Sequence, residues 1–208
     1  MLNALVLAKQ RILKTMTGRT HDLAAITMLG VVVVVVPFHT VTLATVLLAV
    51  LANQIGGITP DIDQPTAPLW RNLPVGGPIG KVFDKMLGGH RFLTHSLLGA
   101  GIICLLVHYL LVFLHPIMPH IDISLVWAAF AIGVGSHLIM DSFTKEGVPW
   151  LLPIPIKFGL PPVKRLRITT GKAAETLLIF PGLIALDVWL CVSHYQHIAT
   201  LIHTHLIQ

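Results

Sequence analysis

The chain has 208 residues, of which 54% are hydrophobic and 11% are charged, and its mean hydropathy is +0.81. A soluble domain usually carries about 25% charged residues, so this composition excludes an ordinary soluble globular protein and indicates a membrane protein. The net charge of +5 could suit nucleic acid, but the basic residues lie between apolar segments. In such positions they orient the chain and contact anionic lipid headgroups, so no nucleic-acid partner is expected.

The N-terminal residues 1–20 do not resemble a secretory signal peptide. Their apolar run is short, and Lys9, Arg11 and Lys14 follow it directly. Apolar and basic residues interleave at roughly helical spacing over residues 2–16, which predicts an amphipathic helix that lies at the membrane interface.

Five apolar stretches follow this segment. They are Leu23–Val36, Thr40–Ile55, Ser96–Leu114, Ile123 to about Met140, and Ala173 to about Ser193. The last three have the length of spanning helices. The first two could form a hairpin or one helix kinked at Pro37, but a single helix would rise about 50 Å across a hydrocarbon core of about 30 Å. The sequence therefore predicts an all-α polytopic bundle of about five transmembrane helices, in one membrane domain over residues 1–208.

The distribution of charge supports the hairpin. With it, all fourteen Lys and Arg residues fall into three regions on one side, namely 1–20, 57–95 and 142–172. The positive-inside rule places these regions in the cytoplasm and the C-terminus outside. The glycine- and proline-rich loop 57–95 is long enough to suggest a lid or a binding surface. Region 142–172 is too broken to span and is expected at the interface, with Trp150 as an anchor.

Acids and histidines from all five predicted helices reach the cytoplasmic face. His137 and Asp141 are four residues apart and share a helix face, while Asp61 and Asp63 follow a helix-ending Thr-Pro. The candidate metal ligands are His21, Asp61, Asp63, His95, His137 and Asp141. Imidazole and carboxylate ligands suit zinc or manganese, and two ions are plausible because three or more carboxylates are available.

Each of these residues also has an ordinary structural explanation. A His and an Asp on one helix can form a simple hydrogen bond, and Asp is common in turns after Pro. Ionisable residues in membrane segments are costly, however, and their arrival at one face favours a metal site. Arg91 could hold a substrate phosphate or extend to the interface. Glu175 could be catalytic or could complement a helix dipole, and His90 could be a ligand or a loop residue.

Three motifs resemble the YdjM-type family of bacterial inner-membrane proteins, which are described as metal-dependent hydrolases. The motifs are Thr59-Pro60-Asp61-Ile62-Asp63, then His90-Arg91 with Thr94-His95-Ser96, then Gly135-Ser136-His137 with Asp141 and a following Thr144, Gly147 and Pro149. The family usually has His where this chain has Gln64. The resemblance runs from His21 to about Glu175 and implies a location in the bacterial inner membrane.

The order of ligand types also resembles, more distantly, the zinc-dependent phospholipase C and P1 nuclease enzymes. That resemblance implies one metal held by Asp61, His95, His137 and Asp141, and a second that shares Asp141 and uses His21. It also implies that Asp61 acts as general base and that Glu175 completes a further metal position.

The leading functional hypothesis is a metal-dependent hydrolase, phosphoesterase- or phospholipase-like, that acts on a lipid or lipid-linked phosphate at the cytoplasmic face. Asp61, Arg91 and Glu175 are its candidate catalytic residues. One alternative is a transporter or ion-binding protein that uses the same acids and histidines. Transporter sites usually lie near the midplane and often come from inverted repeats, whereas this cluster is at one face and the sequence shows no repeat. The other alternative is a non-catalytic protein with a structural metal.

Overall fold

The structure is a computed structural model that describes residues 2–36, 41–67, 70, 72–88, 91–154, 156–169, 172–196 and 198–200, with side chains from Gly18 onward. Its α-helices are α1 (Leu2–Val35), α2 (Leu43–Ile58), α3 (Gly76–Met86), α4 (Leu97–Leu114), α5 (Ile123–Ser142) and α6 (Phe180–Ser193). A 3₁₀ turn, Thr59–Asp63, extends α2, and a π-helical turn, Glu175–Ile179, precedes α6. The predicted all-α class is confirmed.

Five helical stretches in the described residues are long and apolar enough to cross a membrane. They are Gly18–Val35, Leu43–Asp63, Leu97–Ile117, Ile123–Ser142 and Glu175–Ser193. The predicted polytopic bundle is confirmed. Long stretches of α4 and α6 expose apolar side chains such as Phe113 and Val192, as expected of surfaces that face lipid tails rather than water.

The first two spans form an antiparallel pair. The Gln54 side chain near the end of α2 donates a hydrogen bond to the carbonyl of Asp22 near the start of the first span, at 3.2 Å. A single helix kinked at Pro37 is therefore excluded. The predicted turn at residues 37–40 lies outside the described residues.

Two segments add detail to the sequence-based prediction. Residues 2–16 are helical, as predicted, and continue without a break into the first span as part of α1. The predicted loop 57–95 contains α3, whose glycines Gly76 and Gly80 lie directly against Trp70. These glycines suggested a loop in the sequence, but here they permit close packing.

The closest helix contact joins α2 to α5. A Cβ on Gly56 would overlap the carbonyl of Phe130, and one on Gly133 would overlap the carbonyl of Asn53. The buried Asn53 amide also donates to the carbonyl of Ala129 at 3.1 Å. Lipid provides no hydrophobic force between helices, so small residues and interhelical hydrogen bonds of this kind hold membrane helices together.

The segment after α5 folds back onto that helix. Leu160 N–H donates to the carbonyl of Ser142 at 2.7 Å, and Val148 and Phe158 exchange two backbone hydrogen bonds. The Trp150 indole, predicted as an interfacial anchor, donates to the Ser142 hydroxyl at 2.9 Å and is half-buried against the protein core. These hydrogen bonds satisfy backbone N–H and C=O groups of an irregular segment that connects two candidate spans. Unpaired backbone groups are costly inside a membrane.

We expect Gly133→Ala to destabilise the bundle by about 1–3 kcal/mol, because the added methyl group collides with the backbone of α2. Gly135→Ala on the same helix is the matched control, since a Cβ there meets nothing within 4 Å. Thermal unfolding in detergent measures both variants. Equal melting temperatures for the two would contradict the close contact between α2 and α5.

Candidate metal centre

Asp61 and Asp63 lie in the 3₁₀ turn that follows α2. Pro60 occupies the first turn of this short helix, where its missing N–H is tolerated. Consecutive residues of a 3₁₀ helix are about 120° apart, so residues i and i+2 point in different directions. The Asp61 and Asp63 carboxylates accordingly contact different groups.

His137 and Asp141 lie one helical turn apart near the end of α5, and both are buried. His137 Nδ1 is 2.6 Å from the carbonyl oxygen of Gly57, which can only accept a hydrogen bond. The proton therefore lies on Nδ1, and the lone pair of Nε2 points toward the acids. A histidine ligand held by such a hydrogen bond is typical of metal sites.

His95 immediately precedes α4, whose N-cap is Ser96. Its Nδ1 lies 3.2 Å from Asp63 Oδ2, which also accepts hydrogen bonds from the Thr94 hydroxyl and from Arg91 N–H. Its Nε2 lies 3.3 Å from Asp141 Oδ2. Asp63, predicted as a ligand, is thus placed behind His95 and orients its ring.

Four ligand atoms from different parts of the chain converge. Asp61 Oδ1 lies 3.8 Å from His95 Nε2 and 3.7 Å from His137 Nε2, and His137 Nε2 lies 3.8 Å from Asp141 Oδ2. In a tetrahedral zinc site with ligands at about 2.0–2.2 Å, neighbouring ligand atoms are about 3.3–3.6 Å apart. Asp61, His95 and His137 form one group whose ligand atoms lie within 4.8 Å of one another, so these three fit a divalent cation after small movements, and Asp141 lies beside the two histidines.

One atom of this group has no hydrogen-bond partner among the described residues. His137 Nε2 is fully buried, and the Asp61 and Asp141 oxygens lie 3.7 and 3.8 Å from it, too far for a hydrogen bond. Buried polar groups in this condition are rare and require an explanation, and a cation between His137 and these carboxylates provides one. Burial opposes the protonation of His95, but hydrogen bonds and charge from Asp141 and Asp63 raise its pKa to about 9. A bound cation would have to displace that proton.

His21 and Arg91 both approach the other oxygen of Asp141. His21 Nε2 is 3.4 Å from Oδ1 and its ring stacks on His137 at 4.0 Å, while Arg91 Nη2 donates to Oδ1 at 2.7 Å. His21, His137 and Asp141 form a second group with ligand atoms within 4.8 Å of one another. The guanidinium already binds the oxygen that a second metal would share.

Arg91 is fixed in an unusual backbone conformation. Its φ is 59°, a left-handed value that is uncommon for residues other than glycine. Its side chain is buried and also donates to the Thr144 hydroxyl at 2.7 Å. Strained positions of this kind persist where the surroundings hold them, and they cluster at functional sites.

Glu175 is buried in the π-helical turn before α6 and lines a small cavity with Thr20, His21 and Thr144. It belongs to neither group of converging ligand atoms. His90 lies outside the described residues. The sequence did not identify the Gly57 carbonyl as part of the site, since a backbone acceptor leaves no signal in a sequence.

A family model for the YdjM inner membrane protein matches residues 16–202. The chain belongs to the YdjM inner membrane protein family. It is also similar to the uncharacterized protein YvsG of Bacillus subtilis, with 29% identity over 164 residues that cover 79% of this chain and 88% of YvsG. No solved structure matches the chain. The likeness to phospholipase C and P1 nucleases therefore rests only on the order of ligand types in the sequence.

We expect His137→Ala to lose bound metal, since it removes a ligand between Asp61 and Asp141. Asp63→Asn should retain metal with about 10–100-fold weaker affinity, because it disturbs only the residue that orients His95. Asp84→Asn on α3 is the control for charge. Elemental analysis and chelator competition on purified protein measure these effects, and unchanged metal content in His137→Ala would exclude this centre.

Proposed function

We propose that this YdjM family member is a metal-dependent hydrolase that cleaves a phosphoester in a lipid or lipid-linked substrate at the cytoplasmic face of the membrane. The observation that carries the proposal is the convergence of Asp61, His95, His137 and Asp141, with two histidine Nε2 atoms directed at two carboxylates. Zinc is the metal that this ligand set suits best, and manganese is the second choice.

A divalent cation held by these residues would lower the pKa of a bound water and polarise the phosphoryl oxygen. Asp61 is the accessible ligand, with a side chain 25% exposed, whereas His95, His137 and Asp141 are at most 1% exposed. Substrate would therefore approach from the side of Asp61. That position also suits Asp61 as the general base that accepts the proton of the attacking water.

Arg91 has two roles in this proposal. Its hydrogen bond to Asp141 fixes the carboxylate, and its positive charge beside the ligands attracts an anionic phosphate. Glu175 remains a candidate catalytic residue that acts from the cavity beside His21. A second cation near His21 would share the Asp141 carboxylate with Arg91, which already donates to Oδ1.

The position of the centre supports the proposed substrate class. Its ligands lie at the end of the span Leu43–Asp63, just before the span Leu97–Ile117, and at the end of the span Ile123–Ser142. A site at the ends of these spans would meet headgroups rather than acyl chains or bulk water. It also lies at the ends of the helices rather than near the midplane, which weighs against a translocation site.

A structural metal is the second candidate, and one observation favours it. Three of the four ligands are almost completely buried, and structural zinc sites are closed while catalytic ones keep an open position. In that case removal of the metal would unfold the bundle, and no substrate would be turned over.

Purified protein loaded with zinc or manganese should hydrolyse short-chain phosphatidylcholine in mixed micelles, or the diester bis(p-nitrophenyl) phosphate. Asp61→Asn should lower kcat by at least about 100-fold, since it removes the general base. His115→Ala at the opposite end of α4 should leave kcat unchanged. Metal-loaded parent protein that hydrolyses neither probe, but melts earlier after chelation, would favour the structural role.

We further propose the orientation given by the basic residues, with the N-terminus and regions 57–95 and 142–172 in the cytoplasm and the C-terminus outside. In a Cys104→Ser/Cys191→Ser background, a cysteine at His120 should react with an impermeant maleimide in intact cells. A cysteine at Lys145 should react only after the membrane is permeabilised. The reverse pattern would invert the topology.

A further inference from the structure

A second pocket lies on the other side of α5 from the metal centre. It has a volume of about 670 Å³, within the range of small-molecule sites, and its lining is mainly apolar. Ile139 and Phe143 contribute from the end of α5, and Leu151, Phe158 and Leu160 contribute from the folded-back segment. The metal centre and its partners use none of these five residues.

Two cations border this apolar pocket. Lys157 is exposed, and Arg167 donates hydrogen bonds to the carbonyls of Pro161 and Pro162 at 2.8 and 3.0 Å. Neither side chain forms an ion pair with a carboxylate among the described residues, so their charges are uncompensated. Carbonyl partners leave the charge of Arg167 available to an anion.

The segment that forms most of the pocket is also basic and carries exposed apolar side chains. Residues 142–172 contain six Lys and Arg residues and one acid, Glu146, and they connect two spans at one membrane face. Apolar side chains such as Leu151, Ile154 and Leu160 are about half exposed. An apolar hollow with a basic rim at headgroup depth is complementary to a lipid that has an acyl chain and a negative headgroup.

We propose that this pocket binds an anionic phospholipid, with its phosphate at Lys157 and Arg167 and part of an acyl chain against Phe143, Leu151 and Phe158. The site is independent of the proposed hydrolase. It is a binding site for intact lipid, since no acid or histidine lines it. It would also hold the folded-back segment against α5.

Native mass spectrometry of the purified protein tests the proposal with phosphatidylglycerol and phosphatidylcholine titrated separately. Parent protein should retain one phosphatidylglycerol at least about 10-fold more tightly than phosphatidylcholine. Lys157→Gln should weaken phosphatidylglycerol binding several-fold, whereas Lys81→Gln on α3 makes the same charge change elsewhere and should have no effect. Lys157 is preferred to Arg167 for this test, because Arg167 also fastens the backbone at Pro161 and Pro162.

The acyl chain is located by fluorescence. Phosphatidylglycerol with brominated chains should quench Trp150, which lines the pocket, and the quenched component should be missing in Trp150→Phe. His137→Ala should keep both signals, which separates this site from the metal centre. Equal binding of the two lipids, or phosphatidylglycerol affinity that Lys157→Gln leaves within twofold of the parent, would overturn the proposal.

Discussion

The close packing of α2 on α5 determines where the ligand atoms lie. Gly56 and Gly133 let the two backbones touch, so the carbonyl of Gly57 comes within 2.6 Å of His137 Nδ1. That hydrogen bond sets the tautomer of His137 and directs Nε2 toward the acids. The turn at Pro60 then begins so close to α5 that Asp61 reaches the same point. Larger residues at the two glycines would separate all of these groups together.

The membrane environment explains why the charged and polar side chains of the site lie together in one cluster. In lipid, an ionisable side chain is costly unless other polar groups satisfy it, so the charged groups gather where they can satisfy one another. Asp141 is at the centre of this arrangement, because His21, Arg91 and His95 all approach its two oxygens. Removal of Arg91 or Asp141 would break the buried ion pair between them, which is more costly than the loss of a surface ion pair.

Sequence patterns were sufficient for the five spans, but not for α3 or for the separate roles of the residues in the site. Hydropathy and charge gave five spans, and the i, i+4 spacing placed His137 and Asp141 on one face. Nothing in the Asp61-Ile62-Asp63 pattern distinguishes a ligand from a residue that orients a ligand, because that depends on the 3₁₀ geometry of the turn. Helix α3 was missed since Gly76 and Gly80 suggest a loop, and only its packing on Trp70 makes them suitable for a helix.

Asp63 links the metal centre to α4, a helix that makes few packing contacts with the rest of the bundle. Much of α4 faces outward, so apolar contacts place few restraints on its position. The end of α4 beside the metal centre is fixed instead by the fully buried Asp63 carboxylate, which binds Arg91 N–H, Thr94 and His95 together. The left-handed conformation of Arg91 turns its N–H toward Asp63 while its guanidinium reaches Asp141. Asp63, which lies outside the ligand group, thereby positions both the ligand His95 and the side chain of Arg91. The two aspartates of the turn therefore have different roles, since Asp61 is a candidate ligand and Asp63 positions its neighbours.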